Sequence, residues 1–520
     1  MNIKKEFGDF QTPNNLADRV VSLVEELFGK PDLVIEPTAG LGAFLKASAE
    51  RWGSKLQYEG YEINKDYVAS AQRELKEYPV SVLHRDFFTE DWSHNLERPE
   101  AERILIIGNP PWVTNSDLGM LGSSNLPEKN NSIGLRGIDA RTGKSNFDIA
   151  EWMLIRLIES LPQSGSLAML CKTMTARKVL RHFWKTDGGR EGSRLFHIDA
   201  KAEFDVAVDA CLFFVTGKRS EDRIATVYTD LTTGSDAKSF GFLDGDLVSD
   251  IDAYKAYRHL DGGSGNYTWR SGIKHDASRI MEFSLGNERM TNGLGETVDL
   301  EDEYVYPLLK SSDLGNGRVT IRKAVLVPQK HTGDETDEIA DRAPATWEYL
   351  MRHAETLDAR RSSIYKNRPR FSIFGVGSYS FAPWKVAISG FYKKISFVVI
   401  GSSSGRPVMV DDTCYSIPCS SREEANLLCD LLSSDAAQQF LHSLVFLDSK
   451  RPVTIDVLRR ISFVELARHL GKLEELTKFT QDDSSSGTEE GQMQFVMEPK
   501  QKYRTRQSRA TPNGVPVLWR

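Results

Sequence analysis

In the amino-terminal part of the chain, apolar residues fall into short runs that end in polar or turn-forming residues. Runs of this kind are typical of strands buried in a parallel sheet. Between the first two runs, residues 44–52 are predicted to form a helix. The pattern therefore predicts an α/β fold with early strands at 32–35, 57–61, 80–84 and 104–107.

The run at 104–107 leads directly into Gly108-Asn109-Pro110-Pro111-Trp112. Two consecutive prolines stop a strand, because neither can donate a ladder hydrogen bond and each fixes its own φ. Asn109 and Trp112 are thereby held at the carboxyl end of the strand, where open α/β sheets bind ligands. The amide oxygen of Asn109 and the carbonyl of Pro110 can each accept one N–H, and the indole can stack on a ring. We predict a cradle for a planar amine; the alternative is an ordinary proline-rich strand end.

Polar residues after the other strands predict a nucleotide-type pocket. Glu36 and the small residues of 39–43 follow the first strand, so the backbone can approach a ligand closely. The stretch lacks both GxGxxG and the Lys-Ser/Thr of a P-loop, and its carboxylate suits a positively charged ligand. Glu62 ends the second strand, where a carboxylate commonly binds ribose hydroxyls. Asp86 follows the third strand. Singly, each of these is also compatible with a tight turn or a surface carboxylate.

Together these motifs resemble the amino-group DNA methyltransferases that use S-adenosylmethionine. The resemblance covers residues 5–220 and includes Phe7-Gly8-Asp9-Phe10-Gln11-Thr12-Pro13, which is similar to the segment over the methionine end of the cofactor in that family. The motif order, with a large domain after the Asn-Pro-Pro-Trp strand, is similar to the gamma subclass, which mostly makes N6-methyladenine.

The resemblance implies how the cofactor would be held. Thr12 and Glu36 would bind the methionine moiety, Glu62 the ribose, and Asp86 the adenine amine, with an adjacent phenylalanine over the adenine face. The complete set implied for S-adenosylmethionine is Phe10, Thr12, Glu36, Thr38, Ala39, Gly40, Gly42, Glu62, Ile63, Asp86, Phe87 and Asn109.

The same resemblance implies how a target base would be held. Asn109 and Pro110 would bind the amino group of a base flipped out of the duplex, and Trp112 would stack on that base. Phe204, in Glu203-Phe204-Asp205, is similar to the residue that covers the second face, although plain packing explains it equally well. The implied catalytic set is Asn109, Pro110, Pro111, Trp112 and Phe204.

The rest of this region predicts further elements of the same fold. A polar stretch at 113–145 is interpreted as a lid that orders over DNA, with an insertion of no function as the alternative. An amphipathic helix is predicted from Asn146 to Leu161 and further strands at 166–170 and 207–215.

Composition narrows the class of protein. The chain has 520 residues, 40% of them hydrophobic and 27% charged, which is ordinary for a soluble protein with two or three domains. No apolar run reaches the length of a membrane span, and the five cysteines show no zinc spacing, so we expect no metal and a cytoplasmic location. The net charge of −7 argues against a uniformly basic nucleic-acid binder.

Charge is nevertheless distributed unevenly. From 359 to 410 there is no Asp or Glu, while basic and aromatic residues alternate. Such a window is the electrostatic footprint of a polyanion site, although a solvated basic face remains the alternative. A second basic spot lies at 450–451. The residues predicted to contact DNA are Arg360, Arg361, Lys366, Arg368, Arg370, Lys385, Lys393, Lys394, Lys450 and Arg451.

These observations predict a doubly wound, Rossmann-like methyltransferase domain followed by a mixed α+β DNA-recognition domain. The expected boundaries are 1–220 for the catalytic domain, 221–265 for a connector with one or two strands, 266–475 for target recognition and 476–520 for a partly flexible tail. We expect a monomeric adenine-N6 DNA methyltransferase acting on double-stranded DNA, whose cognate restriction endonuclease would be a separate chain. N4-cytosine methylation and a non-catalytic DNA-recognition subunit remain the alternatives.

Overall fold

The computed structural model describes residues 10–99, 101–113, 148–286, 289–449 and 451–480. The helices are α1 (Asn14–Phe28), α2 (Ala43–Trp52), α3 (Lys65–Glu74), α4 (Trp92–Leu96), α5 (Ile149–Ser160), α6 (Thr173–Thr186), α7 (Ala200–Phe204), α8 (Ile251–Tyr257), α9 (Ser278–Met281), α10 (Ser311–Gly315), α11 (Ile339–Arg342), α12 (Pro344–Arg352), α13 (Ala354–Asp358), α14 (Arg422–Ser433), α15 (Asp435–Leu444), α16 (Ile455–Leu458), α17 (Phe463–His469) and α18 (Leu473–Thr480).

The strands alternate with these helices in the first half of the chain and cluster in the second. They are β1 (Leu33–Glu36), β2 (Gln57–Glu62), β3 (Val80–His84), β4 (Ile104–Gly108), β5 (Ser166–Lys172), β6 (Gly189–Arg190), β7 (Arg194–Ile198), β8 (Ala210–Thr216), β9 (Arg219–Ser220), β10 (Ile224–Tyr228), β11 (Ala237–Leu243), β12 (Asp246–Val248), β13 (Arg270–Ser271), β14 (Glu282–Leu285), β15 (Met290–Asn292), β16 (Thr297–Val298), β17 (Val305–Leu309), β18 (Lys323–Leu326), β19 (Trp384–Ser389), β20 (Phe397–Gly401), β21 (Met409–Val410) and β22 (Cys414–Cys419).

A ten-stranded sheet organises the first half, in the order β12-β11-β10-β7-β8-β5-β4-β1-β2-β3. Strands β1 to β5 run parallel to one another, whereas β8 pairs antiparallel with both β5 and β7. Strands β1 and β4 lie side by side within the parallel part of the sheet, so Glu36 and Asn109 leave the sheet at the same edge. The strands predicted at 32–35, 57–61, 80–84 and 104–107 are confirmed to within one residue.

Helices cover both faces of this sheet. In β1, Val34 packs with α1 and α2 on one face, while Leu33 and Ile35 pack with α5 and α6 on the other. Alternating residues of one strand are thus all buried, which explains why β1 is a continuous apolar run. The predicted doubly wound α/β fold is confirmed.

Residues 221–265 differ from the predicted connector. Strands β10, β11 and β12 extend the large sheet, and β10 pairs parallel with β7. Helix α8, which follows them, contributes Tyr254 to a core shared with α14, α15 and α17. The hydroxyl of Tyr254 donates to Asp261 at 2.7 Å. The stretch is therefore divided between two cores, since Ala225 and Phe240 are buried with the large sheet, whereas Val248 and Leu260 are buried with Tyr254.

The second half of the chain contains two smaller sheets. One has the order β13-β22-β19-β20 and the other β16-β15-β14-β18-β17-β21, and their strand pairs are antiparallel except for β17 with β21. Helix α14 packs on the first sheet and α17 packs on α14, which confirms the mixed α+β architecture. Among the residues described here, every helix is too short or too polar to cross a lipid bilayer.

Candidate active site

Asn109 lies just beyond β4 with its side-chain amide fixed in one orientation. Its Nδ2 donates to the carbonyl of Phe10 at 3.0 Å and to Oγ1 of Thr12 at 3.4 Å. A carbonyl can only accept, so the amide nitrogen must face Phe10 and the oxygen must point away. That Oδ1 atom is buried and accepts no hydrogen bond from any residue that the structure describes. A buried acceptor without a donor is unfavourable, and an amine ligand is a suitable partner for it.

Glu36 ends the neighbouring strand β1 and is 3% exposed. Its Oε2 accepts one hydrogen bond, from the backbone N–H of Leu45 at 3.3 Å. Burial raises the pKa of this carboxyl well above its usual range, and the charge of Glu62 raises it further. A buried carboxylate with so little compensation favours a cationic ligand.

The Gly-rich turn is shaped by two glycines with positive φ, Gly40 at 53° and Gly42 at 81°. The N–H of Gly40 donates to Oε2 of Glu62 at 2.8 Å, which ties the turn to the end of β2. A Cβ on Gly40 would lie 2.7 Å from Oε1 of Gln11, so the segment at 10–13 packs directly on this turn. Thr38 and Ala39 complete the connection, since Thr38 Oγ1 donates to the Asn109 carbonyl at 3.4 Å and the Ala39 N–H to Tyr61.

The side chains that follow β2 and β3 differ in how far they are exposed to solvent. Ile63 is 41% exposed, so it can contact a ligand. Asp86 accepts from the N–H of Phe88 at 3.0 Å and is half-buried. Phe87 is 5% exposed and packs on Trp92 with ring centroids 4.8 Å apart. Phe88, which is half-buried, is therefore the more accessible of the two phenylalanines.

Three aromatic rings meet beside Asn109. The centroid of Trp112 lies 5.3 Å from that of Phe204 and 5.7 Å from that of Phe10. Trp112 and Phe204 touch edge to face, and the indole N–H of Trp112 is buried without an acceptor among the described residues. Pro110 is buried and Pro111 half-buried beneath them. Since these rings are in direct contact, a planar base can stack here only after one of them moves.

Two charged residues at the site were missed by sequence reasoning. Lys172, the last residue of β5, donates to the carbonyl of Trp112 at 3.0 Å and to Oδ2 of Asp148 at 3.1 Å. Asp148 also caps α5 through the N–H of Ala150. Its place near the start of the helix predicted from Asn146 was the available signal, because Asp is a preferred N-cap.

Part of the basic window is committed to the fold. Lys385 is 3% exposed and donates to the Ala382 carbonyl at 2.7 Å, so it cannot reach a phosphate and the prediction for this residue is corrected. Arg360 donates to three backbone carbonyls, and burial lowers its pKa. Arg370 forms an ion pair with Asp358 at 2.7 Å. These side chains therefore stabilise turns and strands.

The remaining cations of the window lie at the surface. Arg451, from the second basic spot, is half-buried with its guanidinium 4.9 Å from the centre of the Phe391 ring. The exposed basic residues are Arg361, Lys366, Arg368, Lys393 and Lys394. Lys450, residues 7–9, most of the stretch at 113–145 interpreted as a lid, and the tail beyond 480 lie outside the described residues. Within the described ranges, no group of three or more His, Cys, Asp or Glu side chains is arranged to hold a metal ion.

Comparison with known proteins identifies the family. No family model matches the chain. The type II methyltransferase M.NspV from Nostoc sp. is 43% identical over 471 residues, which is 89% of this chain and 98% of that protein. The chain belongs to the type II methyltransferases. Ribosomal RNA small subunit methyltransferase A from Mycoplasma mycoides is 26% identical to this methyltransferase over 119 residues, 23% of the chain and 43% of that protein.

Among solved structures, the type IIL restriction-modification enzyme MmeI in complex with DNA is similar to this methyltransferase with a TM-score of 0.48. The sequence identity is 14%, and the match covers 88% of this chain and 64% of that one. A putative RNA methyltransferase from Pyrococcus horikoshii has a sequence identity of 14% and a TM-score of 0.28, and the match covers 42% of this chain and 90% of that one.

Proposed function

We propose that this methyltransferase transfers a methyl group from S-adenosylmethionine to N6 of a flipped-out adenine in double-stranded DNA, as a gamma-class enzyme. The observation that carries the proposal is the buried Oδ1 of Asn109 at the carboxyl end of β4, an acceptor for which the described residues supply no donor. An exocyclic amine supplies the N–H that this oxygen lacks. Once one of the aromatic rings beside it moves, the others offer a stacking surface for the base that carries the amine.

The cofactor pocket fits S-adenosylmethionine. The buried carboxylate of Glu36 suits the ammonium of the methionine moiety, and Thr12 lies within reach of Asn109 to line the same pocket. Glu62 lies beside the Gly-rich turn, where it can accept from ribose hydroxyls, while Asp86 and Ile63 follow in the order expected for the adenine. When bound, S-adenosylmethionine supplies an electrophilic methyl group on its sulfonium sulfur.

The chain's own residues would activate and orient the amine. An exocyclic nitrogen is a poor nucleophile, because its lone pair is conjugated into the ring. Hydrogen bonds to Asn109 Oδ1 and to the Pro110 carbonyl favour the pyramidal nitrogen, in which the lone pair is released. Fixed acceptors and a stacked base hold the nitrogen in line with the methyl donor, and this positioning supplies much of the acceleration.

DNA would be bound by both parts of the chain. Removing a base from the duplex costs a few kcal/mol of stacking and pairing, which contacts to the backbone must offset. The exposed cations Arg361, Lys366, Arg368, Lys393 and Lys394 can contact phosphates and set the register on the duplex. We propose that the enzyme acts as a monomer in the cytoplasm and that its cognate endonuclease is a separate chain.

Replacement of Asn109 tests this proposal. Asn109→Ala removes the acceptor, so methyl transfer to unmethylated genomic DNA should fall at least about 1,000-fold while S-adenosylmethionine still binds. Asn95→Ala is a matched control, because Asn95 also makes a part-buried side-chain hydrogen bond, to Glu90 at 2.9 Å, but lies away from the site. An Asn109→Ala enzyme as active as the Asn95→Ala enzyme would refute the assignment.

A further inference from the structure

The segment that follows the Asn-Pro-Pro-Trp motif is fastened to the sheet by a charged side chain. Lys172 ends β5, the strand next to β4, and its ammonium lies 3.0 Å from the carbonyl oxygen of Trp112. The same ammonium lies 3.1 Å from Oδ2 of Asp148. One residue later, the carbonyl of Val113 accepts the N–H of Ile149 at 3.1 Å. The chain is therefore held both where it leaves the motif and where it begins α5.

The ion pair is mostly shielded from solvent, and each of its side chains has more than one hydrogen-bond partner. The side chain of Lys172 is 22% exposed and that of Asp148 is 9% exposed. Asp148 accepts from Lys172 and from Oγ1 of Thr175 at 3.2 Å through Oδ2, and from the N–H of Ala150 at 3.1 Å through Oδ1. Such a carboxylate can hold the ammonium in one place, because its own position is fixed by donors from the first turns of α5 and α6.

A buried ion pair contributes little net stability to a fold. Desolvation of the two charges offsets much of their attraction, and apolar residues of similar volume stabilise a fold equally well. A lysine ammonium, by contrast, has three donors and can bind a carboxylate and a carbonyl at once. The contact that apolar residues could not provide is the one to Trp112.

We propose that Lys172 is a positioning residue for the transfer reaction, and that Asp148 acts through it. By fixing the Trp112 carbonyl, Lys172 sets the direction of the main chain after the two prolines, and with it the indole that would stack on the base. The inference rests on the proposed function, since the base is the object being positioned. Residues at the end of β5 and at the start of α5, outside the Asn-Pro-Pro-Trp motif, would then contribute to catalysis.

Lys172→Met tests this role. The substitution keeps the aliphatic length and removes the donors, so the single-turnover rate of methyl transfer should fall about 10- to 100-fold, the effect of misplacing a reacting group by about 1 Å. The dissociation constant for S-adenosylmethionine, measured by calorimetry, should stay within about twofold of the wild-type value. Lys172→Arg keeps a charged donor and should restore a large part of the rate.

Lys178→Met is the matched control. Lys178 lies on α6, the helix that directly follows Lys172, and pairs with Glu151 of α5 at 3.5 Å, but it does not contact the motif. The double variant Lys172→Met with Asp148→Asn removes the unpaired carboxylate, so a rate that stays low in it assigns the loss to the missing carbonyl contact. Rates are compared per folded molecule, from the fraction that binds S-adenosylmethionine.

The outcomes separate this inference from the proposed function. If the wild-type enzyme transfers no methyl group to DNA, the proposed function fails before any variant is compared. If the wild-type enzyme is active and Lys172→Met matches it per folded molecule, the positioning role is overturned. Equal losses in Lys172→Met and Lys178→Met would also overturn it, because the effect would then come from helix packing.

Discussion

The charge on Glu36 should control how tightly the methyltransferase binds its cofactor. Glu36 is 3% exposed, and its hydrogen bond from Leu45 is long at 3.3 Å, so the ionised form is poorly compensated in the free protein. A hydrogen bond to a charged group contributes about 1.5–3 kcal/mol. Since 1.4 kcal/mol is a factor of ten in affinity, Glu36→Gln should weaken S-adenosylmethionine binding by about 10- to 100-fold.

The raised pKa of Glu36 gives this prediction a pH dependence. Burial favours the protonated form of the carboxyl in the free protein, whereas a bound ammonium favours the carboxylate. Affinity should therefore increase with pH until the raised pKa is passed, with release of a proton on binding. In Glu36→Gln the affinity should not vary with pH through this group.

Calorimetry in buffers of different ionisation enthalpy measures both quantities, the dissociation constant and the proton release. Glu97→Gln is the matched control, since Glu97 is exposed and lies away from the cofactor pocket. A Glu36→Gln protein that binds S-adenosylmethionine within about twofold of the wild type, or a wild type that releases no proton, would contradict the role of Glu36.

Three further predictions concern the second half of the chain. Burial opposes ionisation of Glu282, but hydrogen bonds from His275 and Lys310 outweigh the effect of burial and lower the pKa of Glu282 to about 2. Glu282→Gln should therefore lower the free energy of unfolding, measured in urea at pH 7, by about 3 kcal/mol. This loss should shrink as pH falls from about 4.5 towards 2. Burial lowers the pKa of Lys385 to about 8, so Lys385→Met should raise the free energy of unfolding at pH 7, with a gain that shrinks as pH rises from about 8 to 10.5, and should leave DNA affinity unchanged. Lys394→Ala should weaken DNA binding and reduce the slope of log affinity against log salt by about one, as measured by fluorescence anisotropy; an unchanged slope would remove Lys394 from the interface.

The sheet of the catalytic half was predictable where both faces of a strand are covered. Strands β1 and β4 are fully buried, so they form continuous apolar runs that are visible in the sequence. Strands β10 and β11 lie towards the edge of the sheet and are half-exposed, and their mixed residues were interpreted as a connector. A continuous apolar run therefore identifies a strand that is buried on both faces, and strands of the same sheet that are partly exposed lack such a run.

The active site was predictable only where one motif supplies its residues. Asn109 and Trp112 are close in sequence and were found together. Lys172 reaches the Trp112 carbonyl because β5 lies beside β4 in a particular register, with Met169 opposite Gly108, and it pairs there with Asp148, which is 24 residues away in sequence. That register is a property of the folded sheet, so no local pattern indicates the contact.

The basic window shows a related limit. An acid-free run of sequence does not reveal which side chains face outwards or which acids lie nearby in space. Asp358 precedes the window by one residue and pairs with Arg370, while β19 is paired on both edges and buries Lys385. Exposure and ion pairing together divide the predicted cations into those that support the fold and those that remain available for phosphates, since Arg370 is exposed but paired.

Nucleoside analysis of the product is the most direct test of the central claim. The purified protein would be incubated with tritiated S-adenosylmethionine and unmethylated genomic DNA, and the DNA then digested to nucleosides. We predict label in N6-methyladenine, which would establish the reaction and the base together. Label in N4-methylcytosine would contradict the assignment of adenine, and a protein that binds DNA without transferring label would contradict catalysis itself.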